Sequence, residues 1–335
     1  MAMENLEIKD RRPIFGKRAG DGLFSFILFL SSFLFFVSSA SAYQDIRSPR
    51  FIPAKAAIVV DPNKSVVYAK NQDAKLPPAS TTKLAMAMVV LDYLDPETEV
   101  TVSPTAAGTH SVGPRVRPYE DLTVADLLHL ALMRSVNSAA VALAERTAGS
   151  EERFVELMNQ KAQTIGAVNT RFANASGLPE GVQYTTVYDL TIILNEAIKY
   201  PLIKEILGKK ECRIFTAGGR SLYLRNTNRL LWASDSVIGG KTGFTRDARH
   251  CFVGAFQTEE GPIVTAVLGT PSRNGLWRST ALLSSIAAGR SGIENAIIVY
   301  EKEVKRKIVK AKKKRKTHAV KLARSTKGRS LPDRT

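Results

Sequence analysis

Cysteine is nearly missing from this chain: 335 residues contain Cys212 and Cys251 alone. Two thiols cannot build the disulfide framework of a small secreted scaffold, although a single Cys212–Cys251 bridge stays open. Histidine is equally sparse. His110, His129, His250 and His318 are scattered, with no pair at ligand spacing, so no metal site is expected and no cofactor either. No internal repeat is visible. Acidic residues are the minority, 31 against 48 Lys and Arg, but the net charge of +17 is unevenly placed. From Glu301 to Thr335 there are 15 Lys/Arg against 3 Asp/Glu, whereas residues 23–300 hold 28 against 24. The basic character therefore belongs to a tail and not to a binding face on the body of the protein. A tail of this kind suggests nucleic acid or another polyanion.

What is present at the other end decides between those partners. Gly22 to Val37 is a weakly polar run dominated by Phe and Leu, preceded by Lys17-Arg18 and followed by Ser38-Ser39-Ala40-Ser41-Ala42. Basic, apolar and small residues in that order make a secretory signal, and the run is short for a membrane-spanning helix. An uncleaved anchor is the alternative reading. Either way the remainder leaves the cytoplasm for the periplasm or cell envelope, which argues against nucleic acid. Anionic envelope polymer or a membrane surface is the partner expected for the tail. The organisation expected is a signal peptide over 1–42, a linker over 43–53, one domain over 54–300 and a basic, disordered tail over 301–335.

Within the domain, Ala56 to Val60 and Val66 to Ala69 read as strands joined by turn chemistry at Asp61-Pro62-Asn63-Lys64. Val100 to Pro118 reads as a loop. Helices are expected over Thr123–Met133, from Ser138 to Glu145, from Ser150 to Ile165 with Gly166 closing it, and from Thr186 to Lys199 with Pro201 stopping it. Strands return at Arg213–Phe215, Ser221–Leu224, Cys251–Phe256 and Ile263–Leu268. A last amphipathic helix covers about Leu276 to Ala288, with Gly289 as its stop. Strands, then helices, then strands favour an α+β fold. The simplest assembly is an antiparallel sheet drawn from both ends of the domain, with a helical lobe inserted and a catalytic groove where the two meet.

The chemistry starts at Leu76-Pro77-Pro78-Ala79-Ser80-Thr81-Thr82-Lys83. The prolines stop any structure running in. From Ser80 a helix is expected, and beyond Lys83 it is apolar on nearly every side up to Leu91, as a helix in the middle of a core must be. Ser80 and Lys83 are its two polar anomalies, three residues apart and so on one face. An ammonium buried there loses hydration, which favours the neutral amine. A neutral amine beside a hydroxyl is a general base beside a nucleophile. Read alone, the pair is a helix cap and a solvated lysine.

Two further motifs change that reading. The break between helices contains Ser135-Val136-Asn137, and Lys241-Thr242-Gly243-Phe244-Thr245 stands just before a strand. Ser135 and Asn137 alone would be capping residues, and the second motif alone an ordinary turn. Together and in this order, they resemble the S-x-x-K, S-x-N and K-T-G signatures of penicillin-binding proteins and serine β-lactamases. The resemblance is closest to the low-molecular-weight D-alanyl-D-alanine carboxypeptidases and runs from about Ala54 to Arg290. It includes Asn174-Ala175-Ser176-Gly177-Leu178, Tyr188-Asp189-Leu190 and Asn226-Thr227-Asn228-Arg229-Leu230-Leu231; of these, Asn174 and Gly177-Leu178 are read as scaffold.

The resemblance implies a β-lactamase/transpeptidase-like fold and removal of the terminal D-alanine from peptidoglycan stem peptides through a Ser80 acyl-enzyme. Covalent capture by β-lactam antibiotics is implied as well. Ser80 would attack, Lys83 take its proton, and Ser135 with Lys241 relay it to the departing amine. Asn137 would grip a substrate amide, Lys241 and Thr242 a terminal carboxylate, and Gly243 would let the substrate backbone approach. The backbone N–H groups of Ser80 and Phe244 would form the oxyanion hole.

Several residues depart from the pattern. Ser138 stands where many relatives have Asp, Arg249-His250 where they have Gly-Tyr, and Thr227 where some carry an arginine. Better-known relatives continue into a second, β-rich domain, whereas this fold is expected to end near Ile298. A β-lactamase would need a deacylating carboxylate, and Glu180 lacks the E-x-x-L-N surroundings. Endopeptidase or transpeptidase action on cross-linked stems, and a non-catalytic envelope-binding role, are the remaining alternatives.

Overall fold

The computed structural model of the chain describes residues 52–287. The expected signal peptide, most of the linker, Gly289 and the basic tail lie outside the described residues. The described part opens with two strands, β1 (Ala56–Val60) and β2 (Val66–Lys70), paired antiparallel. Their turn is the expected one. Asp61 Oδ1 accepts the Ser65 N–H at 2.7 Å, and Lys64 takes a left-handed φ of 65°.

A single 3-10 turn (Ala79–Thr82) leads into α1 (Lys83–Tyr93). Ser80 therefore lies in the turn, and the α-helix begins at Lys83. Pro77 and Pro78 offer no N–H, and Ala79 swings to a φ of +48°, so the chain enters sharply. Residues 83–90 of α1 are buried on every side, as their composition requires. The segment read as loop contains β3 (Glu99–Thr101) and the short α2 (Pro104–Gly108), and β3 pairs with β4 (Asp121–Thr123). Pairing over three residues carries too little alternation to show in sequence.

Then come α3 (Val124–Met133), α4 (Asn137–Ala148), α5 (Glu151–Thr164) and α6 (Val187–Ala197). Thr123, Ser150 and Thr186 cap α3, α5 and α6, each hydroxyl accepting an N–H three residues on. Pro201 does not merely end a helix. It occupies the first turn of another, α7 (Pro201–Gly208), where its missing N–H costs nothing. A hairpin follows, β5 (Glu211–Phe215) with β6 (Ser221–Arg225). The chain then returns to the main sheet as β7 (Val237–Thr245), β8 (Arg249–Thr258) and β9 (Gly261–Thr270), and α8 (Arg273–Ala287) closes the described part.

The main sheet has the order β2-β1-β9-β8-β7 and is antiparallel throughout. Its strands come from the two ends of the described segment, and the helices between them form the inserted lobe. The α+β architecture expected from the element order, an antiparallel sheet drawn from both ends with an inserted helical lobe, is the one observed. Alternation along β1 divides the core: Ala56, Ile58 and Val60 face the helical lobe, whereas Ala57 and Val59 pack with Leu276 and Trp277 of α8. The sheet is thus buried on both faces, and β7 is left as an edge. Cys212 and Cys251 are both free thiols, so the bridge left open above does not form. Among the described residues no helix is long and apolar enough to cross a membrane.

Candidate active site

The site forms where the 3-10 turn, the break between α3 and α4, and the β7 edge converge. Lys83 is fully buried at the head of α1. Its Nζ lies 3.2 Å from Ser80 Oγ, 2.6 Å from Asn137 Oδ1 and 2.5 Å from the Ser176 carbonyl oxygen. The two carbonyl oxygens can only accept. A neutral amine would give its two hydrogens to them and leave its lone pair for the Ser80 hydroxyl. Burial, followed by the neighbouring Lys241 ammonium, holds the Lys83 pKa well below the usual lysine range, while Glu151 opposes that shift.

Ser135 and Asn137 stand between α3 and α4. Ser135 is left-handed, with φ 61°, and this conformation turns the chain from one helix into the next. The Val136 N–H donates back to the Leu130 carbonyl at 3.1 Å. Asn137 opens α4 without a capping side chain of its own segment. Ser111 Oγ supplies the cap instead, accepting the N–H groups of Asn137 and Ser138 at 2.9 Å each. Asn137 Nδ2 donates to the His110 carbonyl at 2.7 Å, so one of its two amide hydrogens is committed and the other is left for a substrate carbonyl.

The opposite wall is β7. Lys241, Thr242 and Gly243 lie within this strand and not ahead of it, because the strand already begins at Val237. Gly239, ahead of the motif, serves close packing: a Cβ on it would stand 2.7 Å from Leu207 Cβ on α7. Lys241 is fully buried, and Nζ donates to Ser135 Oγ and to the Thr242 carbonyl, both at 2.9 Å. Burial lowers its pKa to about 7. Thr242 Oγ1 donates to Thr227 Oγ1 at 2.7 Å. Gly243 is held against the turn that carries Ser80, since a Cβ there would meet Ser80 N at 3.1 Å and the Pro78 carbonyl oxygen at 3.2 Å. Its missing side chain thus admits protein backbone. Phe244 is 56% exposed, its ring 4.5 Å from that of His250.

All seven side-chain or glycine positions singled out in the three motifs therefore meet in one place. The structure adds participants that their residue types did not announce. The Ser176 carbonyl is presented by a turn in which Asn174 Oδ1 accepts the Gly177 N–H at 2.7 Å. That turn contacts the nucleophile's segment so closely that a Cβ on Gly177, φ 79°, would stand 1.9 Å from the Ala79 carbonyl oxygen. The sequence signal was the Asn-x-Ser-Gly pattern with its glycine, although its use of a backbone carbonyl has no signature. Ser111 carried no signal at all. Among the described residues no group of three or more His, Cys, Asp or Glu could hold a metal ion.

The family model for D-alanyl-D-alanine carboxypeptidase, peptidase S11, matches residues 43–272. The D-alanyl-D-alanine carboxypeptidase DacF of Bacillus subtilis is 33% identical over 255 residues, covering 74% of this chain and 66% of that protein. The D-alanyl-D-alanine endopeptidase of Escherichia coli is 36% identical over 225 residues, covering 65% and 71%. Among solved structures, the D-alanyl-D-alanine carboxypeptidase of Mycobacterium tuberculosis H37Rv aligns with a TM-score of 0.67 at 31% identity, covering 71% of this chain and 92% of that one. The Streptomyces K15 DD-transpeptidase aligns with a TM-score of 0.67 at 26% identity, covering 71% and 98%. With Ser80, the buried Lys83 amine and the Lys241-bearing edge strand assembled as described, this chain belongs to the D-alanyl-D-alanine carboxypeptidase family of serine peptidases.

Proposed function

We propose that the protein removes the terminal D-alanine from peptidoglycan stem peptides through an acyl-enzyme on Ser80. Ser80 Oγ attacks the peptide carbonyl as its proton passes to the Lys83 amine. The backbone N–H groups of Ser80 and Phe244 receive the negative charge that develops on the carbonyl oxygen, one such donor being worth about 2.7–4 kcal/mol. Ser135 and Lys241 carry a proton to the departing D-alanine amine, and water then hydrolyses the acyl-enzyme. Lys241 and Thr242 hold the terminal carboxylate, and the free N–H of Asn137 takes a substrate carbonyl. β-Lactams enter the same cycle and stop at the acyl-enzyme.

The observation that carries this reading is the Lys83 amine, buried with two carbonyl acceptors and Ser80 Oγ around it. The test is benzylpenicillin treatment followed by intact-mass measurement and peptide mapping. One adduct, on Ser80 and absent from Ser80→Ala, is expected. An adduct elsewhere, or rapid turnover of the drug with no adduct, overturns the reading. Glu180 is exposed, which weighs against fast β-lactamase deacylation.

The endopeptidase name of the Escherichia coli relative favours a second reading, hydrolysis of cross-linked stems. Digestion of purified muropeptides separates the two, by loss of one alanine or loss of cross-links. The site's location is the periplasm or cell envelope, reached by the signal over 1–42. The tail over 301–335 tethers the enzyme to anionic envelope polymer or lipid, so its deletion should release protein from envelope fractions, and salt should do the same to the full chain. Full retention after deletion would end the tether.

A further inference from the structure

Glu151 is an acid in the lobe to which neither the motifs nor the proposed cycle gives a task. It opens α5 next to Glu152, and the two have different duties. Glu152 folds back on the helix start, accepting from Ser150 and from its own backbone N–H, as an acid in a first turn does. Glu151 turns away instead. Its Oε1 accepts the Ala175 N–H at 2.8 Å, and Ala175 is completely buried. The next residue is Ser176, whose carbonyl receives Lys83 at 2.5 Å. One carboxylate thus stands a single peptide unit from the catalytic amine's acceptor.

The arrangement is costly to Glu151. Burial raises its pKa, and Glu145 on α4, Glu152 on its own helix and Glu180 in the loop after Gly177 all add repulsion. On the other side, Lys83 faces a second buried amine, Lys241. Among the charges that act on Lys83, Glu151 alone opposes both burial and Lys241. A half-buried acid kept against repulsion, with its hydrogen bond aimed at the turn that touches Lys83, has a use that helix capping does not explain.

We propose that Glu151 is a positioning residue for the Lys83 amine: its carboxylate anchors the Asn174–Leu178 turn that delivers the Ser176 carbonyl, and it supplies the negative field that two neighbouring amines lack. This rests on the Ser80–Lys83 cycle proposed above. The anchoring and the field can be separated by chemistry. Glu151→Gln keeps an oxygen for the Ala175 N–H and removes the charge. Glu151→Ala removes both.

The experiment measures the second-order rate of acylation by benzylpenicillin from pH 5 to 10 in the wild type and both variants, with thermal melts to establish folding. Losing the carboxylate disfavours protonated Lys83, so the acid limb of the profile should move to lower pH in Glu151→Gln with the plateau retained. Glu151→Ala should show that same shift and a plateau lower by roughly tenfold, the scale expected when a reacting group is slightly misplaced. Should Glu151→Ala melt too low to assay, the limb position in Glu151→Gln decides alone. Folded variants with the wild-type limb and plateau overturn the proposal. A wild type that is never acylated overturns the cycle itself, which is a different result.

Discussion

Lys241 Nζ donates to Ser135 Oγ at 2.9 Å, joining the sheet edge to a helix break 106 residues earlier in the chain. Ser135 is two residues from Asn137, and Asn137 accepts from Lys83, which lies beside Ser80. Hydrogen bonds at either end, joined by the short backbone from Ser135 to Asn137, therefore connect the edge strand through the helical lobe to Ser80. Two amines lie along that connection, both without solvent access, and both are driven toward the neutral form. The fold thus spends stability to keep bases at the site, since each buried amine opposes folding wherever the unfolded chain would be protonated.

That statement has a measurable sign. The Lys241 pKa falls from 10.5 to about 7 on folding. Between those values the unfolded chain binds a proton that the folded chain does not, so stability rises with pH across the window. Lys241→Met removes this dependence and fills the space with apolar atoms. The melting temperature of the wild type should climb from pH 7 to pH 9 relative to the variant, and the variant should be at least as stable at pH 7. Its penicillin acylation should fall by about a hundredfold or more. Parallel melting profiles for the two proteins would contradict the assigned burial cost.

Gly177 makes a steric prediction. It is left-handed, φ 79°, and an added Cβ would stand 1.9 Å from the Ala79 carbonyl oxygen, which is backbone and cannot move aside. Glycine→Ala there combines left-handed strain with overpacking, together about 2–5 kcal/mol. Urea unfolding of Gly177→Ala should show that loss. Acylation of the remaining folded protein should also be slowed, because Ala79 precedes the nucleophile. Gly149 is left-handed as well but has open space around its Cβ direction, so Gly149→Ala should cost only the strain, about 1–2 kcal/mol.

The contrast between residues that announced themselves and those that did not follows from what each contributes. Ser80 and Lys83 are polar groups at the head of an apolar run and so are visible in one dimension, whereas Ser135, Asn137 and Lys241 are ordinary residue types locally and stood out only through the order of the three motifs. Thr123, Ser150 and Thr186 are equally visible, since a cap and its N–H lie three residues apart. Ser176 acts through its carbonyl, a group every residue has. Ser111 caps a helix 26 residues away, and nothing in its own neighbourhood reports that. Pro201 misled for a related reason: it reads locally as a helix stop, but here it starts the next helix.

The Thr227 hydroxyl oxygen accepts the proton of Thr242 Oγ1 at 2.7 Å. Thr242 is the hydroxyl assigned to the substrate carboxylate, but its single proton is given to Thr227, so it must turn away from Thr227 before it can donate to that carboxylate. Thr227→Ala removes the competing acceptor, a difference of about 1 kcal/mol in binding. KM for a stem peptide ending in D-alanyl-D-alanine should fall roughly fivefold with kcat nearly unchanged, the pattern of a change in uniform binding. A fall in kcat at constant KM would place Thr227 in the proton relay instead.

The thiols offer a final test, one that bears on the fold and not on the chemistry. Cys251 lies on β8 opposite Gly243, is fully buried, and burial pushes its pKa up to about 12. Cys212 is half-buried, with Sγ 3.5 Å from Met133 Sδ, and burial raises its pKa too. Thiolate is the reactive form, so neither should be modified quickly. With iodoacetamide at pH 7.5, the native protein should label slowly at Cys212 and not at Cys251, while urea-unfolded protein should take two adducts without prior reduction. Rapid labelling of Cys251 in the native state would mean that β8 opens beside the edge strand. Two adducts appearing only after reduction would instead reveal a bridge, contradicting the two free thiols of the structure.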